Sequence, residues 1–194
     1  MRAPVKIVIL DLETTGLCPK ENEIIEFGCI IVHQDGNAET IVRKYFMRKP
    51  ETAELKALQI NQYDADLWEE EAIDMSAEAA LELRRILSAS SVIVAHNPQF
   101  DISFLRALFD EFDIKFFPPP AIDTRALARM LWGFRRTSLD FIREQLGWGE
   151  LGHTALVDCQ TCFRIWCLWI KEISTVRQTA KDIGFYQPIP LMPV

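Results

Sequence analysis

Positive charge is in short supply in this sequence of 194 residues: 21 Lys and Arg stand against 28 Asp and Glu, a formal net charge of -7. Proteins that coat long nucleic acid electrostatically are usually basic, so the balance argues against that class. It leaves room for an enzyme that grips one chain end through bound cations, because divalent ions reverse the charge around their carboxylate ligands. Long apolar runs are missing as well. No stretch approaches the roughly 18 residues of a membrane span, and the run Ile7 to Leu10 is stopped by Asp11, too short for a signal peptide. The five cysteines, Cys18, Cys29, Cys159, Cys162 and Cys167, are odd in number and irregular in spacing, so no disulfide framework is indicated. Together these absences point to a reducing, cytoplasmic setting with no membrane partner.

What is present reads as a single α/β unit. A chain of this length buries roughly 70% of its unfolded surface and needs no structural metal to fold. Val5 to Leu10 is a β-branched apolar run, the pattern of a strand buried on both faces. Glu23 to His33 and Ala38 to Met47 follow as strands, with Asp35-Gly36 marking the hairpin between them. Glu51 to Glu71 reads as short helical pieces. Ser76 is an N-cap for a helix to Ser88 with an apolar stripe of Ala80, Leu83, Ile86 and Leu87. Ser91 to Ala95 is a short buried strand, and Pro98 opens a helix to about Phe112. Ala121 to Asp123 is a last short strand, and helices follow at Thr124 to Trp132, Ser138 to Leu146 and Thr154 to about Thr175. This order predicts a mixed sheet with flanking helices, in a domain over 1–175 with a proline-rich tail over 176–194.

Three clusters carry candidate chemistry. Asp11 and Glu13 sit at the end of the first strand, where side chains two apart point the same way and Leu12 points into the core. Two converging carboxylates suit a hard divalent cation; on their own they are equally well two exposed acids. His96-Asn97-Pro98-Gln99-Phe100-Asp101 joins a buried strand to a helix, with Asp101 in the first helical turn, where an acid is common for electrostatic reasons. His153 precedes the last long helix and Asp158 lies about a turn inside it, on an otherwise apolar surface where a carboxylate needs a partner.

Read in order, DLETTGL (Asp11 to Leu17), HNPQFDISFL (His96 to Leu105) and HTALVDC (His153 to Cys159), with SLDFI (Ser138 to Ile142) before the third, resemble the DEDDh branch of the DnaQ-like 3′→5′ exonucleases, the group that includes polymerase proofreading subunits. The resemblance covers about Val5 to Ile170. It implies an RNase H-like fold with a mixed five-stranded sheet. It implies that Asp11, Glu13, Asp101 and Asp158 hold two magnesium or manganese ions and that His153 is the general base. The backbone of Thr14, Thr15 and Gly16 is then expected to meet the terminal nucleotide, and Leu17 to pack on its base. The expected product is a nucleoside 5′-monophosphate released from a 3′ end.

Several points stay open at this level. Asn97 is a candidate substrate contact, and His96, at the same junction, is a rival base to His153, with a structural group fixing the turn as its preferred reading. Asn61-Gln62 stands where relatives often carry His-Gly, so no role is carried over there. Arg125, Arg129, Arg135 and Arg136, and separately Arg43, Lys44, Arg48 and Lys49, suit either the phosphates of a single strand or a solvated surface. Cys159 and Cys162 read as packing. The Thr14-Thr15 pair resembles polymerase proofreaders more than oligoribonucleases, which implies DNA over RNA; an RNA exonuclease, a non-catalytic binding module on the same fold and a metal-dependent hydrolase of another phosphate ester are the rivals. Relatives serve in proofreading, repair, RNA maturation and trimming of DNA for CRISPR adaptation, so a polymerase or adaptation partner and a homodimer are both open. Tyr186 to Met192 is weighed as a partner-binding peptide against a frayed end.

Overall fold

The computed structural model describes residues 6–149 and 153–182. The element order is β1 (Ile7–Thr14), β2 (Ile24–Val32), β3 (Ala38–Tyr45), a 3-10 turn (Pro50–Thr52), α1 (Leu55–Ile60), α2 (Ala65–Glu71), β4 (Ala72–Ile73), α3 (Ala77–Ser88), β5 (Val92–Ala95), α4 (Pro98–Glu111), β6 (Ala121–Asp123), α5 (Thr124–Trp132), α6 (Leu139–Leu146) and α7 (Ala155–Asp182). The strands form one sheet in the order β4-β3-β2-β1-β5-β6. β1, β2 and β3 pair antiparallel, while β5 runs parallel to β1, β6 to β5 and β4 to β3. The five expected strands are all there. The sixth, β4, is a two-residue edge segment on β3, too short to leave a periodicity in the sequence.

Alternation along β1 divides the core. Val8, Leu10 and Leu12 join one cluster with residues of α3 and α4, including Leu83, Leu87, Phe104, Leu105 and Phe109. Ile9 joins the other, with Leu127 of α5, Ile142 of α6 and Cys159, Cys162 and Ile165 of α7. Asp11 and Glu13 share the parity of Ile9 and so face the α5–α7 layer. β1 continues through both acids to Thr14, four residues beyond the run that marks it in the sequence, because Asp11 pairs with Gly28 and Glu13 with Glu26 across the antiparallel ladder. Local caps follow the sequence. Ser76 accepts the Ala79 N–H at 3.2 Å, and Gly133 and Gly147 close α5 and α6 in the left-handed conformation. α7 runs on to Asp182, seven residues past its expected end. Arg2, the stretch 150–152 leading to His153, and Tyr186 to Met192 lie outside the described residues.

α7 crosses the sheet unusually close to β2. A Cβ on Gly28 would lie 2.7 Å from the Ala155 Cβ and 2.8 Å from its carbonyl carbon. Close approach at this one strand position needs the missing side chain. Gly28 is the cross-strand partner of Asp11, so the same contact that seats α7 also brings its first turn over the acids. Among the described residues, no helix is long and apolar enough to cross a membrane.

Candidate active site

β1 supplies Asp11 and Glu13, the first turn of α4 supplies Asp101, and the first turn of α7 supplies Asp158. Oxygens of Asp11, Glu13 and Asp158 lie within 4.8 Å of one another. Asp101 is 2% exposed and adds its charge to the same field: it raises the pKa of both Asp11 and Glu13. Burial is the largest cause throughout. It takes Glu13 up to about 9, with Asp158, Glu26 and Asp101 pushing further. It takes Asp101 up to about 8 against hydrogen bonds from backbone at Asp101 and Leu12. Asp11 lies well above the usual carboxylate range for the same reason, with four acids around it. Asp158 is also raised by burial, with Arg143 opposing the shift.

Unneutralised carboxylates at this spacing are unfavourable. Among the described residues, Asp11, Glu13 and Asp101 have no ion-pair partner; Asp158 alone has one, Arg143. An all-oxygen donor set of this kind fits a hard divalent cation, which would restore the ionised forms.

Two clefts meet at the acids. One, of about 260 Å³, is lined by Asp11, Asp158, His153, His96, Ser138, Leu139 and Asp140. The other, of about 250 Å³, is a slot whose apolar wall is Leu12, Gly16, Leu17, Ala57, Ile60 and Phe100, with Glu13, Thr14, Glu54, Lys56 and Asn61 completing it. Leu17 is 75% exposed at its mouth. Phe100 lines the slot, whereas Phe104, one turn on, is core.

The remaining candidates separate into groups. His153 stands in the cleft with the acids, its Nε2 3.5 Å from Asp140 Oδ2. His96 lines the same cleft but is tied up: Nδ1 meets Thr124 Oγ1 at 2.9 Å, and the backbone of Thr137 also bonds the ring. Burial lowers it to about 4, so it stays neutral near pH 7. This matches its reading as a structural group. Asn97 sits in the left-handed region at φ 73°. Its N–H donates to Asp123 and its side-chain oxygen accepts from Arg125 at 2.6 Å, which ties the residue to β6 and α5. Thr15 is fully buried. Its N–H and hydroxyl meet Glu23, and its carbonyl accepts from Glu54. The Thr14 hydroxyl donates to the Gly16 carbonyl at 2.7 Å. Of the four residues from Thr14 to Leu17, Thr14, Gly16 and Leu17 line the slot, and Leu17 is the exposed one. A Cβ on Gly16 would strike the Asn22 and Glu54 side chains at 2.5 Å, so this glycine is required by packing inside the loop.

Asn61 has a clear role. Its Nδ2 donates to the Thr14 carbonyl at 2.9 Å and fixes α1 against the end of β1. Gln62 follows at φ 51°, a left-handed conformation that glycine adopts without strain. Of the basic groups, Arg43, Lys44 and Arg48 pair with Glu82, Glu71 and Glu23, and Arg125 pairs with Asp123. Arg129, Arg135 and Arg136 are exposed. Cys159 and Cys162 are buried thiols, with Cys159 Sγ 3.3 Å from the Gly28 carbonyl, a packing role as expected.

Three contributors escape sequence reasoning: Gly28, Glu26 and Arg143. Glu26 is a buried acid opposite Glu13 whose carboxylate accepts the first N–H of α7 at 3.4 Å. Its signal was an acid within the apolar run Ile24 to Ile31. Arg143 has a local partner in Asp140, three residues earlier on α6, but its pairing with Asp158 crosses to α7 and leaves no trace in the local pattern.

Comparison with known proteins bears on the family and the fold. A family model described as Exonuclease (RNase_T) matches residues 8–166. The PolC-type DNA polymerase III of Thermotoga petrophila is 33% identical over 172 residues, covering 87% of this chain and 12% of that protein. Its counterpart in Streptococcus mutans is 25% identical over 173 residues, covering 85% and 11%. The chain thus spans about an eighth of the length of these curated relatives. Among solved structures, Escherichia coli exonuclease I in complex with a dT13 oligonucleotide superposes with a TM-score of 0.73 at 15% identity, covering 93% of this chain and 43% of that one. Exonuclease I of Methylocaldum szegediense gives 0.68 at 15%, covering 83% and 39%. The sheet and its helices are therefore of the RNase H-like type. With the motifs, their strand-to-helix junctions and the matched span in agreement, the chain belongs to the exonuclease family, in its DnaQ-like group.

Proposed function

We propose that this chain is a metal-dependent 3′→5′ exonuclease that removes nucleoside 5′-monophosphates from DNA 3′ ends, single strands preferred. The observation that carries the reading is the meeting of Asp11, Glu13 and Asp158 within 4.8 Å, the first two without an ion-pair partner among the described residues, beside a cleft that Asp11 and Asp158 line with His153. The DNA assignment draws support from the relatives, which are DNA polymerases, and from the solved exonuclease I bound to an oligonucleotide.

Asp11, Glu13, Asp101 and Asp158 would hold the ions, as magnesium or manganese. When bound, such ions neutralise the phosphodiester and stabilise its in-line displacement. The rest falls to this chain's own groups. His153 takes the proton of the attacking water at the ring nitrogen turned away from Asp140, a task suited to an imidazole. The P–O3′ bond breaks, leaving a 3′-hydroxyl on the shortened strand and a 5′-phosphate on the released nucleotide. The slot formed by Leu17, Ile60 and Phe100 takes the terminal base by apolar contact.

The test is degradation of matched single-stranded DNA, duplex DNA and RNA, each labelled at the 5′ end, with magnesium. A ladder shortening from the 3′ end is expected on single-stranded DNA, lost in Asp158→Ala and on adding EDTA. Immediate release of labelled mononucleotide would reverse the polarity, and activity surviving both interventions would defeat the mechanism. Faster loss of RNA would move the assignment to an exoribonuclease.

A further inference from the structure

Arg143 is 2% exposed, in α6. Its Nη1 donates to Asp158 Oδ1 at 2.6 Å and to Thr161 Oγ1 at 3.1 Å, and its Nη2 donates to Asp140 Oδ1 at 2.6 Å. The other oxygen of Asp140 faces His153 Nε2 at 3.5 Å. One guanidinium therefore joins the α7 member of the acid cluster to the carboxylate that faces the histidine. The planar fork of arginine makes two such contacts at once; a lysine ammonium is a point charge and cannot hold both carboxylates in that geometry.

The interaction is not explained by stability. Burying an arginine with its partners gains little over an apolar side chain of like size, and α6 already packs on α7 through Ile142 and Leu139. Its placement is specific. Asp158 is the one acid of the cluster with a cation partner among the described residues, and Arg143 takes one of its two oxygens.

We propose that Arg143 is a resident counter-cation and positioning residue, holding Asp158 in the metal-free protein in competition with the divalent ion and anchoring Asp140 so that it orients His153. This inference rests on the proposed metal site. Its two arms move different observables in opposite directions. The charge opposes metal binding, so losing it tightens binding. The fork organises the Asp140–His153 arm, so losing it slows turnover. A merely structural arginine would weaken both.

The test is calorimetric titration of the full chain with Mn²⁺, without nucleic acid, beside steady-state turnover on a 5′-labelled single strand. Arg143→Met should bind Mn²⁺ about tenfold more tightly, with kcat down at least about tenfold and KM for the oligonucleotide within about twofold. Arg143→Lys keeps the charge and loses the fork; it should bind Mn²⁺ within about twofold of wild type and remain slow. If Arg143→Met does not fold, Arg143→Gln, whose amide reaches one carboxylate, takes its place. Unchanged or weaker Mn²⁺ binding in the neutral variant, tightening in Arg143→Lys, or full turnover in either would overturn the role of Arg143 alone. Wild-type protein that binds no Mn²⁺, or binds it unchanged in Asp11→Asn, would overturn the metal reading and this inference with it.

Discussion

Replacing Gly28 by alanine should damage the acidic site without altering any charged group. The new Cβ would lie 2.7 Å from the Ala155 Cβ, 2.8 Å from its carbonyl carbon and 3.0 Å from its oxygen. Carbon atoms in ordinary contact sit about 3.5–4.0 Å apart, so the helix must lift by about 1 Å. Two of the three obstructing atoms are backbone at the first residue of α7, so no rotamer change relieves the clash. Overpacking of this kind costs about 1–3 kcal/mol. In a chain of this size each kcal/mol lowers the melting temperature by about 2–4 °C, giving a loss of about 2–12 °C. The functional effect should be larger in proportion. Asp158 lies in the first turn of the same helix, and a catalytic group misplaced by about 1 Å can lose about 100-fold in rate. The assay is a thermal melt by circular dichroism beside the rate on a 5′-labelled single strand. Gly36→Ala is the control: Gly36 has φ 87° and nothing within 4 Å of an added Cβ, so it should lose about 1–2 kcal/mol to backbone strain while its rate stays at wild type. A Gly28→Ala protein with wild-type melting and wild-type rate would refute the claim that close approach of α7 builds the site.

Other perturbations reach different parts of the molecule. Metal-free stability should fall as pH rises from 6.5 to 8: Glu13 and Asp101, raised to about 9 and about 8, keep protons that unfolded carboxylates have already lost, so the folded state binds more protons and each contributes a slope of about 1.4 kcal/mol per pH unit. The window starts at 6.5 because His96, lowered to about 4, contributes with the opposite sign below that, and magnesium should flatten the slope; melts in EDTA that rise with pH across it would contradict the assignment. Leu17→Ala should raise KM for oligonucleotide about three- to tenfold and leave the melting temperature alone, since Leu17 is exposed. Asn61→Ala leaves the Thr14 carbonyl without its side-chain donor and should cost about 1–3 kcal/mol, seen as a lower denaturation midpoint.

The parts of the site that the sequence made legible are those governed by local periodicity. Asp11 and Glu13 converge because a strand alternates, and Leu12 between them is core as that alternation requires. The α4 start at Pro98 and the three helices after β6 follow from caps, prolines and apolar stripes. What was hidden depends on contacts between distant segments. Thr15 looks like a loop residue beside a ligand, but Glu23 and Glu54 satisfy its backbone and hydroxyl. Asn97 stands at a helix start, and its ties to Arg125 and Asp123, from α5 and β6, show only in three dimensions. Gly28 sits in an ordinary strand, and its necessity comes from a helix near the other end of the chain. Asn61 departs from the family pattern, yet its amide bonds the backbone beside the acids.

The acidity of the chain and a polyanionic substrate conflict only if the charge is averaged. The acids that matter are gathered on β1, α4 and α7, where burial already favours their protonated forms and a divalent ion would reverse the local sign. Away from them, most cations of the second basic group are engaged by Glu23, Glu71 and Glu82 and have little charge left for a phosphate. The exposed Arg135 and Arg136 precede Ser138, Leu139 and Asp140, which line the cleft with His153. Part of the exposed positive charge is therefore close in sequence to the wall of the site. A net charge of -7 then works against loose binding along a strand, which suits an enzyme acting at a terminus better than one coating a chain.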